Sequence, residues 1–285
     1  MTSIMATRAR KALIGIGLAA LAALASAQAP VKESKPSFER VQREIRGYFD
    51  GLVSSDDRLQ AFIRENYGDD LSEAKVGVAK AYLRKLAKDE RYMALIAKQA
   101  HDGVQADMSL QQLRTLISVL QDRLMMRGLS RLGPERGLFL GEMTQLMGSQ
   151  GDQVCKALAA GKLDVKSSQR VMLRWLSTTS DEQYAEHFRM VEKSIRAEID
   201  GYPEVPKLLP EERQMGEKMM QAALRKAMRE KLDAETINNF VTKGLEGDAF
   251  AVCAATKLTL QTIVELEEPY RSWMLTRFMA SVAAE

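Results

Sequence analysis

Apolar residues recur at steps of three and four along almost the whole chain after Pro36, and no alternating run is long enough to predict a strand. One such stripe consists of Tyr184, Phe188, Val191, Ile195 and Ile199. This spacing places apolar side chains on a single face of a helix. The sequence therefore predicts an all-α fold, a globular array of about 10–13 helices that forms one compact unit or two docked helical subdomains.

Capping residues mark where many of these helices begin and end. Predicted helices start at Ser37, Ser72 and Ser180, and Ser109 with Gln112 has the spacing of a capping box. Glycines close several stripes, as expected for residues that end helices. Between residues 162 and 180, the apolar pattern predicts only a brief helix over 171–176.

The clearest candidate boundary is the segment 201–210, GYPEVPKLLP, because its three prolines forbid a continuous helix. The sequence predicts a helical subdomain over 37–200, a proline-rich linker over 201–210 and a second helical subdomain over 211–285, docked on the first. Residues 28–36 are predicted to be a disordered amino terminus of the mature chain.

The first 27 residues have the pattern of a cleaved signal peptide. Arg8, Arg10 and Lys11 precede an apolar run over 12–24, and a small-residue triplet ends at Ala27. The run is too short to span a bilayer as a stable helix. We therefore expect cleavage near Ala27, a periplasmic or secreted location, and no transmembrane anchor after cleavage.

Removal of this leader changes the charge of the chain. The full chain has 41 basic and 38 acidic residues, and the leader carries three of the basic ones and no acidic residue. The mature chain is therefore formally neutral, and its basic residues are interspersed with acidic ones. This balance argues against nucleic acid as a partner.

Cys155 and Cys253 are the only two cysteines. An even number of cysteines in an exported chain predicts a disulfide, here one that closes a loop of about 100 residues. Two separate buried thiols are the alternative. Each cysteine follows a G-x-x-G-D sequence, in which a glycine can end one helix and an aspartate can cap the next. An internal duplication would produce the same similarity.

Catalytic residue types are sparse, and no phosphate-binding glycine loop or closed zinc-site spacing is present. The two histidines, His101 and His187, lack a nucleophile motif beside them. Glu142 is the one remote catalytic candidate. It lies between Phe139 and Met143 on a predicted helix, where burial would raise the pKa of its carboxyl toward that of a general acid. The sequence implies no cofactor.

One predicted helix is rich in methionine, and its sulfur-bearing residues are Met215, Met219, Met220 and Met228. Core packing explains such residues, because the flexible methionine side chain fills irregular gaps. A groove for a partner or an apolar ligand is a second interpretation. A copper(I) site at Met215 and Met219 is a third, since thioethers bind soft metals.

These observations favour an exported binding or protein-interaction protein over an enzyme, because apolar helix faces are plentiful and catalytic groups are scattered. An inhibitor or immunity-type protein and an envelope assembly protein are examples of this class, with an unidentified protein of the cell envelope as the partner. The alternatives are a carboxylate-dependent enzyme that cleaves cell-wall glycans and a carrier of an apolar ligand.

Overall fold

The computed structural model describes residues 36–103 and 110–283, and this part of the chain contains 13 α-helices, one 3-10 turn and no strand. The helices are α1 (Phe38–Val53), α2 (Asp56–Tyr67), α3 (Glu73–Lys88), α4 (Glu90–Gly103), α5 (Leu110–Arg131), α6 (Pro134–Ser149), α7 (Asp152–Ala159), α8 (Val165–Thr178), α9 (Asp181–Asp200), α10 (Pro210–Lys231), α11 (Ala234–Lys243), α12 (Ala249–Glu265) and α13 (Tyr270–Ala283). The predicted all-α fold is confirmed.

Three serines at which the sequence predicts a helix to start, Ser37, Ser72 and Ser180, act as N-caps. The hydroxyl of Ser37 accepts a hydrogen bond from the backbone N–H of Arg40, and Ser72 caps α3 in the same way. Ser180 and Gln183 form a reciprocal capping box at the start of α9. These bonds satisfy backbone donors that the first helical turn cannot pair.

The region before α9 differs from the sequence prediction, because α8 spans Val165–Thr178 and is longer than the brief helix expected over 171–176. The side chain of Asp164 accepts a hydrogen bond of 2.8 Å from the backbone N–H of Ser167. This cap starts the helix before its apolar stripe begins, so periodicity alone located the helix too late. The predicted signal peptide, residues 28–35 and the Ser109 cap lie outside the described residues.

The described residues group into two compact units. The amino-terminal unit contains 36–103, 110–129 and 173–203, and the carboxy-terminal unit contains 130–172 and 204–283. One boundary, between Pro203 and Glu204, falls in the proline-rich segment. The other two fall inside the helices α5 and α8, where composition gives no signal. Residues 130–172 thus group with the carboxy-terminal segment, which the division at 201–210 does not anticipate.

The amino-terminal unit is built where α1 packs against α4 and α3 packs against α9. Its core contains several aromatic rings. Phe188 of α9 lies with its ring centroid 5.0 Å from that of Tyr82 and 4.9 Å from that of Tyr184. The side-chain amide of Gln121 donates a hydrogen bond of 2.5 Å to the hydroxyl of Tyr82. This bond gives one buried phenol a polar partner within the core.

The carboxy-terminal unit is arranged around α12, which packs against α6, α7, α10 and α11. Buried residues cover most of the circumference of α12, as expected for a helix that other helices surround. Its threonines, Thr256, Thr259 and Thr262, each donate a hydroxyl hydrogen bond to the carbonyl four residues earlier. Their polar groups are therefore satisfied inside an apolar core.

The two cysteines lie at disulfide distance within this unit. The Sγ atoms of Cys155 in α7 and Cys253 in α12 are 2.03 Å apart. Lys156, beside the first cysteine, donates to the backbone carbonyl of Gly247 at 2.6 Å. The predicted pairing is thus present, and it joins the segment 130–172 to the segment 204–283.

Within the described ranges 36–103 and 110–283, no helix combines the length and apolar character needed to cross a membrane.

Candidate functional site

The four methionines of α10 do not share one environment. Met220 and Met228 are buried, Met219 is half-buried, and Met215 is 43% exposed. Met228 packs in a cluster with Ala255 of α12 and neighbouring apolar side chains. Core packing thus explains two of the four residues, and Met215 is the one whose side chain is accessible to a partner. The copper hypothesis for Met215 and Met219 stays a prediction.

The start of α10 is held in place by α13. A Cβ atom at Gly216 would lie 3.5 Å from both the Sδ atom of Met274 and the Cβ atom of Trp273, so the two helices approach closely at this glycine. One residue further along, the carboxylate of Glu217 forms an ion pair with Arg277 of α13. These contacts fix the orientation of the first turns of α10, with Met215 on the exposed side.

Exposed apolar side chains are concentrated just before and within these turns. Of eight large hydrophobic residues that are exposed in the described part of the chain, three lie within eleven residues: Val205 at 38%, Leu209 at 56% and Met215 at 43%. We call these three side chains the 205–215 surface. Single exposed apolar residues are normal on proteins, but a concentration of them is typical of an interaction site.

Backbone geometry fixes the position of Leu209 within the 205–215 surface. Leu209 is the N-cap residue of α10, and Pro210 occupies the first helical position, where a missing N–H costs nothing. The backbone N–H of Leu209 donates to the carboxylate of Glu212 at 2.8 Å. Because its N–H bonds back onto the first turn, Leu209 is fixed at the helix start while its side chain remains 56% exposed.

Glu142 of α6 is half-buried, and it has an interaction partner in the structure. The helix positions Phe139 and Met143 around it are buried, as the sequence suggested. Glycan hydrolysis, which needs one or two acids in a cleft, stays a prediction for Glu142.

The two histidines pack against aromatic rings. The His101 ring lies 5.8 Å from that of Phe38 in an edge-on arrangement, and the His187 ring lies 5.7 Å from that of Phe188. Across the described ranges, no group of three or more His, Cys, Asp and Glu side chains could hold a metal ion. Both histidines therefore have a packing role.

A buried arginine is the polar feature that sequence reasoning missed. Arg136 of α6 is 6% exposed, and its guanidinium donates to the hydroxyl of Thr276 in α13, while its Nε atom has no hydrogen-bond partner in the described residues. Burial lowers the pKa of Arg136, and the nearby charge of Glu268 acts in the opposite direction. Burial of Arg136 could not be predicted from its position in the first turn of α6, because arginine side chains are usually exposed.

The groove between α3 and α9 belongs to the amino-terminal unit. Its walls are Lys85, Leu86, Asp89, Glu192, Ile195, Arg196 and Ile199. The ammonium of Lys85 forms an ion pair with the carboxylate of Glu192, which joins the two helices. The groove is open at the protein surface, so it offers no enclosed site for a small ligand.

Comparison with known proteins gives no relative from which a function could be transferred. No protein-family model matches the chain, and no curated protein or solved structure is similar to it.

Proposed function

We propose that this chain is an exported helical protein that acts by binding a protein partner in the cell envelope. The observation that carries the proposal is the 205–215 surface, where Val205, Leu209 and Met215 are exposed on one short stretch. Clustered apolar side chains that remain exposed to solvent are typical of interaction sites. Their burial in a complex lowers the free energy and so favours association.

Export is supported by two independent features. The leader over residues 1–27 has the basic, apolar and small-residue parts of a signal peptide. Cys155 and Cys253 are paired in the carboxy-terminal unit, and such pairs persist in oxidising compartments. A periplasmic or secreted location would place the 205–215 surface among envelope proteins.

The test is quantitative affinity capture of the tagged mature chain from the oxidised envelope extract of its own cells. The wild type is compared with a Leu209→Ser/Met215→Ser double variant and with Phe250→Ser, a control at a residue that is 54% exposed elsewhere in the same unit. We expect the wild type and the control to recover one partner in stoichiometric amounts, and the double variant to recover about tenfold less, a loss of ~1.4 kcal/mol. An empty capture by folded wild-type chain, or equal recovery by all three, would contradict the proposal.

A further inference from the structure

The chain between α9 and α10 contains a strap, residues 204–209, that lies outside the helices. Before it, Gly201 adopts the left-handed conformation and caps α9. At its end, Leu209 begins α10. Residues 204–208 belong to no helix or strand, and no backbone hydrogen bond engages them in the described part of the chain. Residues 204–207 are also exposed, so a partner can reach them.

Proline biases this strap toward polyproline II geometry. The rings of Pro206 and Pro210 fix their own φ angles near −65°. Steric contact with a following proline also biases Val205 and Leu209 toward extended or polyproline II conformations. Leu209 has φ −66° and ψ 154°, close to the polyproline II values of about −75° and +145°, and N-cap residues such as Ser37 share this conformation. For the rest of the strap, Pro206 and Pro210 bias the backbone toward polyproline II before any partner binds.

The sequence of the strap has the period of that helix. Polyproline II has three residues per turn, so residues three apart lie on one edge. Val205 and Leu208 form one apolar edge, Pro206 and Leu209 form a second, and Glu204 and Lys207 form a charged third edge. Val205, Pro206 and Leu209 are exposed, whereas Leu208 is half-buried. With this arrangement, the two apolar edges of the strap can enter a groove on a partner while the charged edge stays exposed to solvent.

Pairing of the strap as an added β-strand is the competing mode, and the prolines disfavour it. A strand binds through alternating backbone N–H and C=O groups, and proline supplies no N–H. Strand geometry would also place Val205, Lys207 and Leu209 on one face, which mixes a charge with two apolar side chains. In polyproline II geometry, Lys207 lies on a different edge from Val205 and Leu209.

We infer that residues 204–209 dock as a polyproline II ligand in a groove lined by aromatic side chains on the protein partner. This inference rests on the proposed function and names the binding mode of the same surface. Aromatic grooves recognise such ligands because flat rings pack between the apolar edges of the helix. Pro206 and Pro210 already restrict the backbone of the strap, so less conformational entropy is lost on docking than for a segment without proline.

The test introduces a photoreactive phenylalanine analogue into the full-length chain in its own cells, at one position at a time. The positions are 204, 205, 207 and 209 in the strap, with 215 on α10 as a second site on the proposed interaction surface. The inference predicts at least about fivefold stronger crosslinks to one protein from 205 and 209 than from 204 and 207. It also predicts that the crosslinked partner peptides contain Tyr, Trp or Phe.

The outcomes separate the binding mode from the proposed function. Crosslinks of equal strength from 205, 207 and 209 would indicate strand addition and overturn the inference, as would partner peptides without aromatic residues. Either result would leave an interaction protein in place. The absence of a specific crosslink from every position, including 215, would overturn both. Lys207→Ser serves as a matched control that should keep binding, whereas Pro206→Gly should weaken it about fivefold or more.

Discussion

The Cα atoms of Cys155 and Cys253 lie 5.5 Å apart, although 98 residues separate them in the sequence. The pair connects α7 to α12, the helix around which the carboxy-terminal unit is arranged. The loop that it closes contains all of α8 to α11. The cysteines therefore hold together two segments of one unit that are far apart along the chain.

Loss of this connection is expected to destabilise the protein. The Cys155→Ala/Cys253→Ala variant should lose about 2–5 kcal/mol of unfolding free energy, because a long closed loop restricts the unfolded chain. Urea unfolding of both proteins measures the difference. Alkylation of the unfolded wild type without reductant should add no mass, and labelling of both thiols there would contradict the pairing.

Lys75 is expected to contribute to stability from a buried position. It is 6% exposed, and its ammonium donates to the carbonyl oxygens of Ser177 at 2.8 Å and Thr179 at 2.5 Å. Lys75→Met should cost about 2–3 kcal/mol, since hydrogen bonds to charged groups contribute ~1.5–3 kcal/mol and the carbonyls lose their partner. The exposed Lys98→Met is the control, with a change below about 0.5 kcal/mol. Equal unfolding curves for the two variants would refute this role.

Two glycines of the amino-terminal unit should respond in opposite ways to alanine. A Cβ atom at Gly128 of α5 would overlap the backbone carbonyl of Ser194 in α9, whereas no atom lies within 4 Å of a Cβ placed at Gly77 of α3. Gly128→Ala should destabilise the chain by about 1–3 kcal/mol through overpacking. Gly77→Ala should stabilise it by about 0.5–1 kcal/mol, because alanine favours a helix. Thermal unfolding of both variants checks the signs, and a neutral Gly128→Ala would mean that the helices can move apart.

The cap of α11 should give stability a measurable pH dependence. Asp233 accepts hydrogen bonds of 2.8 Å from the backbone N–H and from the hydroxyl of Thr236, and these bonds lower the pKa of its carboxyl. Its contribution is complete above the unfolded-state pKa of about 3.9 and is lost as the pH falls through the lower folded-state value.

Asp233→Asn keeps a capping side chain and removes the charge. The wild type should therefore be more stable than this variant at about pH 6, and the difference should shrink on acidification through the ordinary aspartate range. Urea unfolding at a series of pH values measures the difference. A gap that stays constant down to pH 3 would show that the charge is not involved.

Local sequence signals determined the helical elements. Apolar stripes and caps such as Ser37, Ser72 and Ser180 identified helices whose starts agree with the structure. They succeeded because capping and periodicity depend on residues within one or two turns of each other. The pattern missed the first turns of α8, where the cap at Asp164 precedes the apolar stripe.

The number of cysteines was the one sequence feature that predicted a contact between residues far apart in the chain. It predicted the Cys155–Cys253 pair that the structure contains. Composition could not place the unit boundaries inside α5 and α8, since a helix can pass from one unit to another without proline or glycine. The proline-rich strap was visible as a break between helices, whereas its exposure required the structure.

The sequence by itself determined that the described chain is helical, where most helices begin and which two cysteines could pair. Only the tertiary structure decided which apolar faces are covered. Met215 and Met228 look equivalent on one methionine-rich helix, yet Met228 is buried against Ala255 and Leu258 of α12, whereas Met215 is 43% exposed. The physical reason is that a helical period defines an apolar face, whereas its burial depends on partner helices distant in sequence.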